Sequence, residues 1–334
     1  MKKRILALLL IAVATTASAF GFAGCTPTPD GNGDNSTDTE SGELTHSDGY
    51  HNYDVNGLCS ICGAAHLKYS ENETGLSVSG LAGDCTATEI IIPKTENGKP
   101  VTGIEASAFE NCTKLKLFYI PDGVTNIGEK AFFGCKSLTS ITIPDGVASI
   151  GDRTFYYCTS LTSITLPDSV TSIGDYAFRS CSLTNISLGN GVKSIGDGAF
   201  IYCSSLTSVS LGNGITSIGK EAFYDCESLT SINIPDSVTS IGEKAFCGCK
   251  PLASTTIPDG VTSIDDGTFA GTSLTSINIP SSVTSIGYQA FGKSLTSITF
   301  TGTKAEWEAI EKEYTYLSPG FTVQCTDGYT AYYN

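Results

Sequence analysis

All three histidines of the chain, His46, His51 and His66, stand close to one Cys-x-x-Cys pair, Cys59 and Cys62. Two thiolates and two imidazoles form the donor set of a tetrahedral zinc site, and His46, His51, Cys59 and Cys62 supply that set within a short stretch. Residues 46–66 are too few to fold on a core alone, so a structural zinc ion or a Cys59–Cys62 disulfide is expected to hold them. With a single Cys pair, both readings stay open. Gly63 stands where a haem-attachment motif needs histidine, and no βαβ pattern surrounds the pair as a thioredoxin-like site would require.

Beyond residue 66 the chain has no histidine, and its carboxylates are spread along turns. No nucleophile–base pair is visible, so an enzyme is not expected. Thirty-four acidic against 19 basic residues give a formal charge of −15. That balance argues against nucleic acid and against docking on anionic lipid.

The N-terminus carries a different chemistry. Met1-Lys2-Lys3-Arg4 is a basic leader and the stretch from Ile5 to Phe22 has no charge, which reads as an export signal over residues 1–24. Phe22-Ala23-Gly24-Cys25 resembles a bacterial lipobox, with Phe22 where that motif prefers Leu; the resemblance implies lipid on Cys25. Residues 25–45, dominated by Thr, Pro, Asp, Gly, Asn and Ser, cannot bury enough apolar area to order themselves and are expected to be a disordered tether. The membrane is then met only through the lipid.

These groups need a scaffold, and most of the chain is one unit written nine times. Phe recurs at 109, 132, 155, 178, 200, 223, 246, 269 and 291, a spacing of 23 residues that drops to 22 twice. A unit of that size cannot bury its own apolar face, whereas stacked copies share one core, so the period predicts a solenoid. In Leu161-Thr-Ser-Ile164-Thr-Leu166-Pro167 the apolar residues alternate as in a short strand with one buried face. Pro-Asp-Ser and its Pro-Asp-Gly relatives are turns. Val170-Thr-Ser-Ile173 is a second strand, and Asp175 is placed to cap a helical turn through Ala177, Phe178 and Cys181. One coil is thus expected to be strand, turn, strand, helical turn, stacked in parallel with right-handed winding. Residues 304–316 read as one helix with Trp307 and Ile310 on one face, and Phe321–Cys325 as a strand pairing over the end of the stack.

The motifs L-x-x-I-x-I-P, V-x-x-I-G and A-F-x-x-C, from about Leu76 to Phe300, resemble the BspA-like leucine-rich repeats of bacterial cell-surface proteins. The terminal G-T-x-x-x-W and C-x-D-G resemble that family's usual ending. The resemblance implies a leucine-rich-repeat solenoid of mostly parallel β-structure and a surface adhesin that binds host or bacterial partners. The expected organisation is a small Cys/His module at 46–69, the solenoid at 70–300 and a C-terminal cap at 301–334.

Seven cysteines, Cys112, Cys135, Cys158, Cys181, Cys203, Cys226 and Cys249, fall in one column and are expected to be free buried thiols, because side chains in register point alongside one another. Cys247 falls at an outward position, and Cys85 and Cys325 lie in the caps without an evident partner. Thr165 and its equivalents form a hydroxyl-rich strand face, and Asp168 and its equivalents an acidic turn column, both explained by local structure. The two residues between Phe and Cys of each unit are expected to face solvent. There lie Phe133, Tyr156, Tyr157, Ile201, Tyr202 and Tyr224, and exposed aromatic residues in a row are interface anchors. Phe133, Tyr156, Tyr157, Tyr202 and Tyr224 are therefore the candidate partner-binding residues, for an extracellular protein or glycan. The alternative is a structural spacer or self-assembling envelope protein.

Overall fold

A computed structural model describes residues 66–312 and 321–333. The His46, His51, Cys59 and Cys62 set, Cys25, the leader and the tether lie outside the described residues.

Each coil has two short strands separated by a turn and closed by a corner. The first strands Glu89–Ile91, Leu117–Tyr119, Ser140–Thr142 and Ser163–Thr165 pair in parallel as one sheet. Asn185–Ser187, Ser208–Ser210 and Ser231–Ile232 form the next sheet of that column, and Ser276–Ile279 with Ser297–Phe300 belong to its last. The second strands, from Ser149–Ile150 through Ser172–Ile173 and Ser194–Ile195 to Ser240–Ile241, form their own parallel ladder. Ser pairs with Ser and Ile with Ile at each step of that ladder, so every Ile stays on the buried face. Between the strands a turn closes from the Val amide to the Pro carbonyl, as in Val170 to Pro167 at 3.1 Å. The two 22-residue steps lose their residue between the Cys position and the following Leu, at Cys181–Leu183 and Thr272–Leu274, which leaves the strand register intact.

The nine phenylalanines stack through the core with ring planes 2–13° apart and centroids 5.2–6.1 Å apart. Offset stacking of this kind adds to the burial of each ring.

The corner is not the expected helical turn. It is a chain of tight turns in which amides alternate between their own coil and the next. Ala177, Arg179 and Cys181 donate to Gly174, Tyr176 and Phe178, at 3.1–3.3 Å, while Tyr176, Phe178 and Ser180 donate to Asp197, Ala199 and Ile201 of the next coil, at 2.8–2.9 Å. An α-helix would use these amides internally and leave the coils unjoined. Asp175 likewise does not cap its own turn: its Oδ1 accepts from the Asp197 amide of the next coil at 2.8 Å. Asp152, Asp197 and Asp266 do the same for Asp175, Lys220 and Tyr288. Threonines also tie coils together; Thr171 and Thr216 hydroxyls donate to the Ala148 and Lys193 carbonyls of the preceding coil, at 2.9 and 3.1 Å.

Six thiols form a ladder. Cys135, Cys158, Cys181, Cys203, Cys226 and Cys249 each donate S–H to the Phe carbonyl of the preceding coil, at 3.1–3.3 Å. Burial pushes the Cys135 and Cys203 thiols up to about 12 and Cys158, Cys181 and Cys226 well above the thiol range. Cys112 departs from the expected column of free thiols. It is disulfide-bonded to Cys85, with Cα atoms 5.1 Å apart. Their separation of 27 residues breaks the repeat, so Cys85 is out of register and the two sulfurs meet instead of lying side by side.

The caps differ from the repeats. Leu67–Asn72 and Gly75–Leu81 form an antiparallel hairpin whose second strand pairs in parallel with Lys99–Ile104. At the other end the helix covers only Lys304–Ala309, shorter than expected. A capping box at Thr303 and Glu306 starts it, and Ile310 leaves helical geometry. This exit lets Glu311–Lys312 join the second-strand ladder against Ser285–Ile286. Trp307 and Ile310 are buried, as their shared face predicts. Phe321–Cys325 pairs in parallel with Ser297–Phe300, and Thr330–Tyr333 closes the sheet antiparallel.

Candidate functional site

The corner turns expose a row of side chains on the outer side of the Phe stack. Tyr157 and Tyr202 are 40% and 43% exposed. Phe133, Tyr156 and Tyr224 are half-buried, and Ile201 is buried, contrary to the expectation that all six face solvent. The cause is backbone geometry. Residues directly after the Phe lie back along the corner, while the next ones stand out because their φ is positive: 59° at Tyr157 and 61° at Tyr202.

Left-handed backbone normally selects glycine, and a side chain there costs about 1–2 kcal/mol. Glycine meets this need in some coils, whereas Ser107, Asn111, Lys130, Ser180, Glu221, Asp225 and Lys244 adopt the same positive φ in others. Gly134, Gly248 and Gly271 occupy the corner position of Tyr157 and Tyr202, and Gly198 and Gly267 occupy that of Arg153 and Tyr176. The middle coils place their bulkiest side chains there, at Arg153 (φ 53°), Tyr157, Tyr176 (φ 56°) and Tyr202. Large side chains are thus held where they are locally unfavourable.

The rings form two groups joined by one cation. Phe133 stacks on Tyr156 with centroids 4.9 Å apart, and Tyr157 packs edge-on to Tyr156 at 4.5 Å. Tyr202 meets Tyr224 edge-on at 5.9 Å. Arg179 bridges them: its guanidinium carbon lies 5.3 Å from the Tyr156 ring centre, 5.2 Å from Tyr202 and 5.9 Å from Tyr176. Arg153 lies 5.4 Å from the Tyr176 ring. Such contacts hold a cation at about 0.5–2 kcal/mol each without neutralising it. Burial pushes the Tyr156 phenol up, against the opposing pull of Arg179. Asp225 raises the phenol of Tyr224 beside it.

Arg153, Tyr176 and Arg179 extend the row read from sequence. Arg179 stands at the same repeat position as Tyr156, but a search for aromatic residues passes over it. A signal was present: apart from Arg4, these are the only arginines of the chain.

Other surfaces are less developed. Ile91, Leu117 and Tyr119, 57%, 48% and 55% exposed, give the first-strand face an apolar start. A cleft of about 350 Å³ is lined by Glu243, Asp265, Asp266 and Glu311, but two of these carboxylates are engaged. Glu243 pairs with Lys220 and Lys244 at 2.7 and 2.5 Å, and Asp266 accepts the Tyr288 amide. Among the described residues no group of three or more His, Cys, Asp or Glu side chains is placed to hold a metal, and no helix is long and apolar enough to cross a membrane.

Short parallel strands, a stacked Phe column and a Cys corner define a leucine-rich repeat solenoid. The chain belongs to the BspA-type leucine-rich repeat family, whose region model matches residues 83–207 and 171–298. It is similar to a leucine-rich repeat protein from Bacteroides ovatus ATCC 8483, with 31% identity over 78% of this chain and 70% of that one and a TM-score of 0.69. It is also similar to the leucine-rich repeat protein of T. pallidum, with 34% identity, 56% of this chain and 88% of that one covered and a TM-score of 0.54. No curated protein gives a significant match.

Proposed function

We propose that this protein is a non-enzymatic surface lipoprotein whose solenoid binds an extracellular protein through the aromatic corner of its middle coils. The observation that carries this reading is the clustering of Phe133, Tyr156, Tyr157, Tyr202 and Tyr224 about Arg179, with Tyr157 and Tyr202 exposed. Rigid Tyr side chains around an Arg are the composition of binding hot spots. Lipid on Cys25 would tether the solenoid outside the cell.

The test is saturable binding of the chain to extracellular matrix proteins, mucins and glycans at physiological salt. A variant with polar residues at Phe133, Tyr156, Tyr157, Tyr202 and Tyr224 serves as its pair. Loss of binding in the variant at unchanged melting temperature supports the reading; equal binding sinks it. Metabolic lipid labelling lost in Cys25→Ser checks the anchor. Zinc is proposed as the structural ion of the His46, His51, Cys59 and Cys62 set, and one bound equivalent, absent from Cys59→Ser, is the expected assay result.

A second reading, an envelope spacer that assembles with itself, draws on exposed Ile91, Leu117 and Tyr119. Concentration-dependent sedimentation abolished by Leu117→Lys would favour it.

A further inference from the structure

The aromatic corner carries a charge opposite to that of the chain. In a protein of formal charge −15, both arginines beyond the leader lie in this patch. Neither makes an ion pair: among the described residues all six ion pairs use lysine. Two acids of the same corners are engaged with backbone. Asp152 and Asp175 each accept a backbone amide of the next coil at 2.8 Å.

The surroundings of Arg179 also select among anions. Tyr156 and Tyr202 flank the guanidinium at 5.3 and 5.2 Å, and its Nε is enclosed without a hydrogen-bond partner. The terminal amino groups therefore present the donors, side by side, as a fork that matches one carboxylate. A lysine ammonium cannot make that contact. The exposed Tyr157 and Tyr202 rings beside it offer apolar surface to whatever bears the carboxylate. A polyanion is disfavoured, because each further negative charge meets the acidic field of the remaining chain.

We propose that Arg179 is the anchor for an Asp or Glu side chain on a partner's polypeptide segment, flanked there by aromatic or aliphatic residues that pack on Tyr157 and Tyr202. This deepens the reading of the corner as the partner site and rests on it. Arg153 supports the field from behind Tyr176.

The experiment pans a random-peptide display library against the immobilised full-length chain. Recovered peptides are expected to place Asp or Glu next to aromatic or aliphatic residues. A synthetic peptide from the selection is then titrated calorimetrically against wild type, Arg179→Lys and Arg179→Gln, alongside its own Asp→Asn or Glu→Gln form. Both protein variants and the amide peptide should weaken binding about tenfold or more, with the far-ultraviolet circular dichroism of the folded chain retained, and the double change should add little further. Affinity should shift only slightly between about 50 and 200 mM salt, since one ion pair, not many, is screened.

Recovery of no acidic peptide, or full binding by Arg179→Lys, overturns the carboxylate assignment. Binding of heparin through Arg179 in place of peptide overturns it in favour of an acidic glycan. In each case Tyr157→Ala/Tyr202→Ala still reports on the patch: if selected peptides bind this variant normally, the partner-site reading itself fails.

Discussion

Phe178 and Arg179 are adjacent in sequence and lie on the same corner, yet they obey different rules. Phe178 is fully buried between Phe155 and Phe200 and is the same residue in all nine units. Arg179 has Phe133, Tyr156, Ile201, Tyr224 and Cys247 as its counterparts. Inside the stack each side chain is the contact surface for the next, so variation at one coil would misfit two neighbours. Outside it, a side chain meets its neighbours only at the surface, as Arg179 meets Tyr156 and Tyr202, and its identity is open to selection for something else. In a repeat protein the positions that break the period are therefore where function should be sought.

The comparison can be tested at several depths. The largest effect is expected inside. Phe178→Ala removes a ring packed on both faces and should cost about 3–5 kcal/mol, read by chemical denaturation. A loss below about 1 kcal/mol would mean the stack is not the source of cohesion. Next is the N-terminal cap. Cys85→Ser opens the disulfide to Cys112, and closure of a loop of this size is worth about 2–4 kcal/mol. Reductant should lower the wild-type melting temperature and leave that of the variant unmoved.

The thiol ladder gives a graded effect with a fixed sign. Unfolded thiols lose their protons near 9.0, while Cys135 and Cys203 in the native chain hold theirs to about 12. Between these values the unfolded state binds fewer protons, so stability falls as pH rises, by up to about 1.4 kcal/mol per pH unit per thiol. Denaturation midpoints measured from pH 8 upward should decline across this window, and Cys203→Ala should make the decline shallower.

The smallest effects belong to the outer corner. Gly271 has φ 70° and a Cβ there would make only ordinary van der Waals contact, the nearest atom being 3.5 Å away, so Gly271→Ala isolates the left-handed penalty of about 1–2 kcal/mol. Tyr202→Gly relieves the same penalty and loses ring contacts of about 0.5–1.5 kcal/mol, so stability should change by less than about 1 kcal/mol. Strong destabilisation by Tyr202→Gly would show that the ring is a structural element.

The inner columns could be read from sequence because a shift of one residue would expose every Ile and Phe, so the period and the buried face are one fact. What the period does not cover was less accessible. The hairpin of Leu67–Leu81 is not a repeat and has no counterpart to betray it. Asp175 looks like the cap of the turn that follows it, and nothing local says that its carboxylate serves the next coil. Cys112 shares its motif with six free thiols, and only the irregular spacing to Cys85 separates it. At the corner, the aromatic row was visible, but its division into buried and exposed members depends on the sign of φ. Arg179 acquires its meaning only once Tyr156 and Tyr202 are seen on either side.

The unchanging register between coils has a consequence for how such a gene changes. Within the second-strand ladder, Ser172 meets Ser194 as Ser194 meets Ser217, so each of these coils presents the same upper and lower surface. An in-frame exchange between two copies of the unit would remove or add a coil and still leave matching surfaces in contact. Length can then vary without a new fold having to be found, while the Tyr and Arg corner is carried nearer to one end or the other. Populations of this gene are expected to differ in coil number more readily than in the sequence of any single Phe corner.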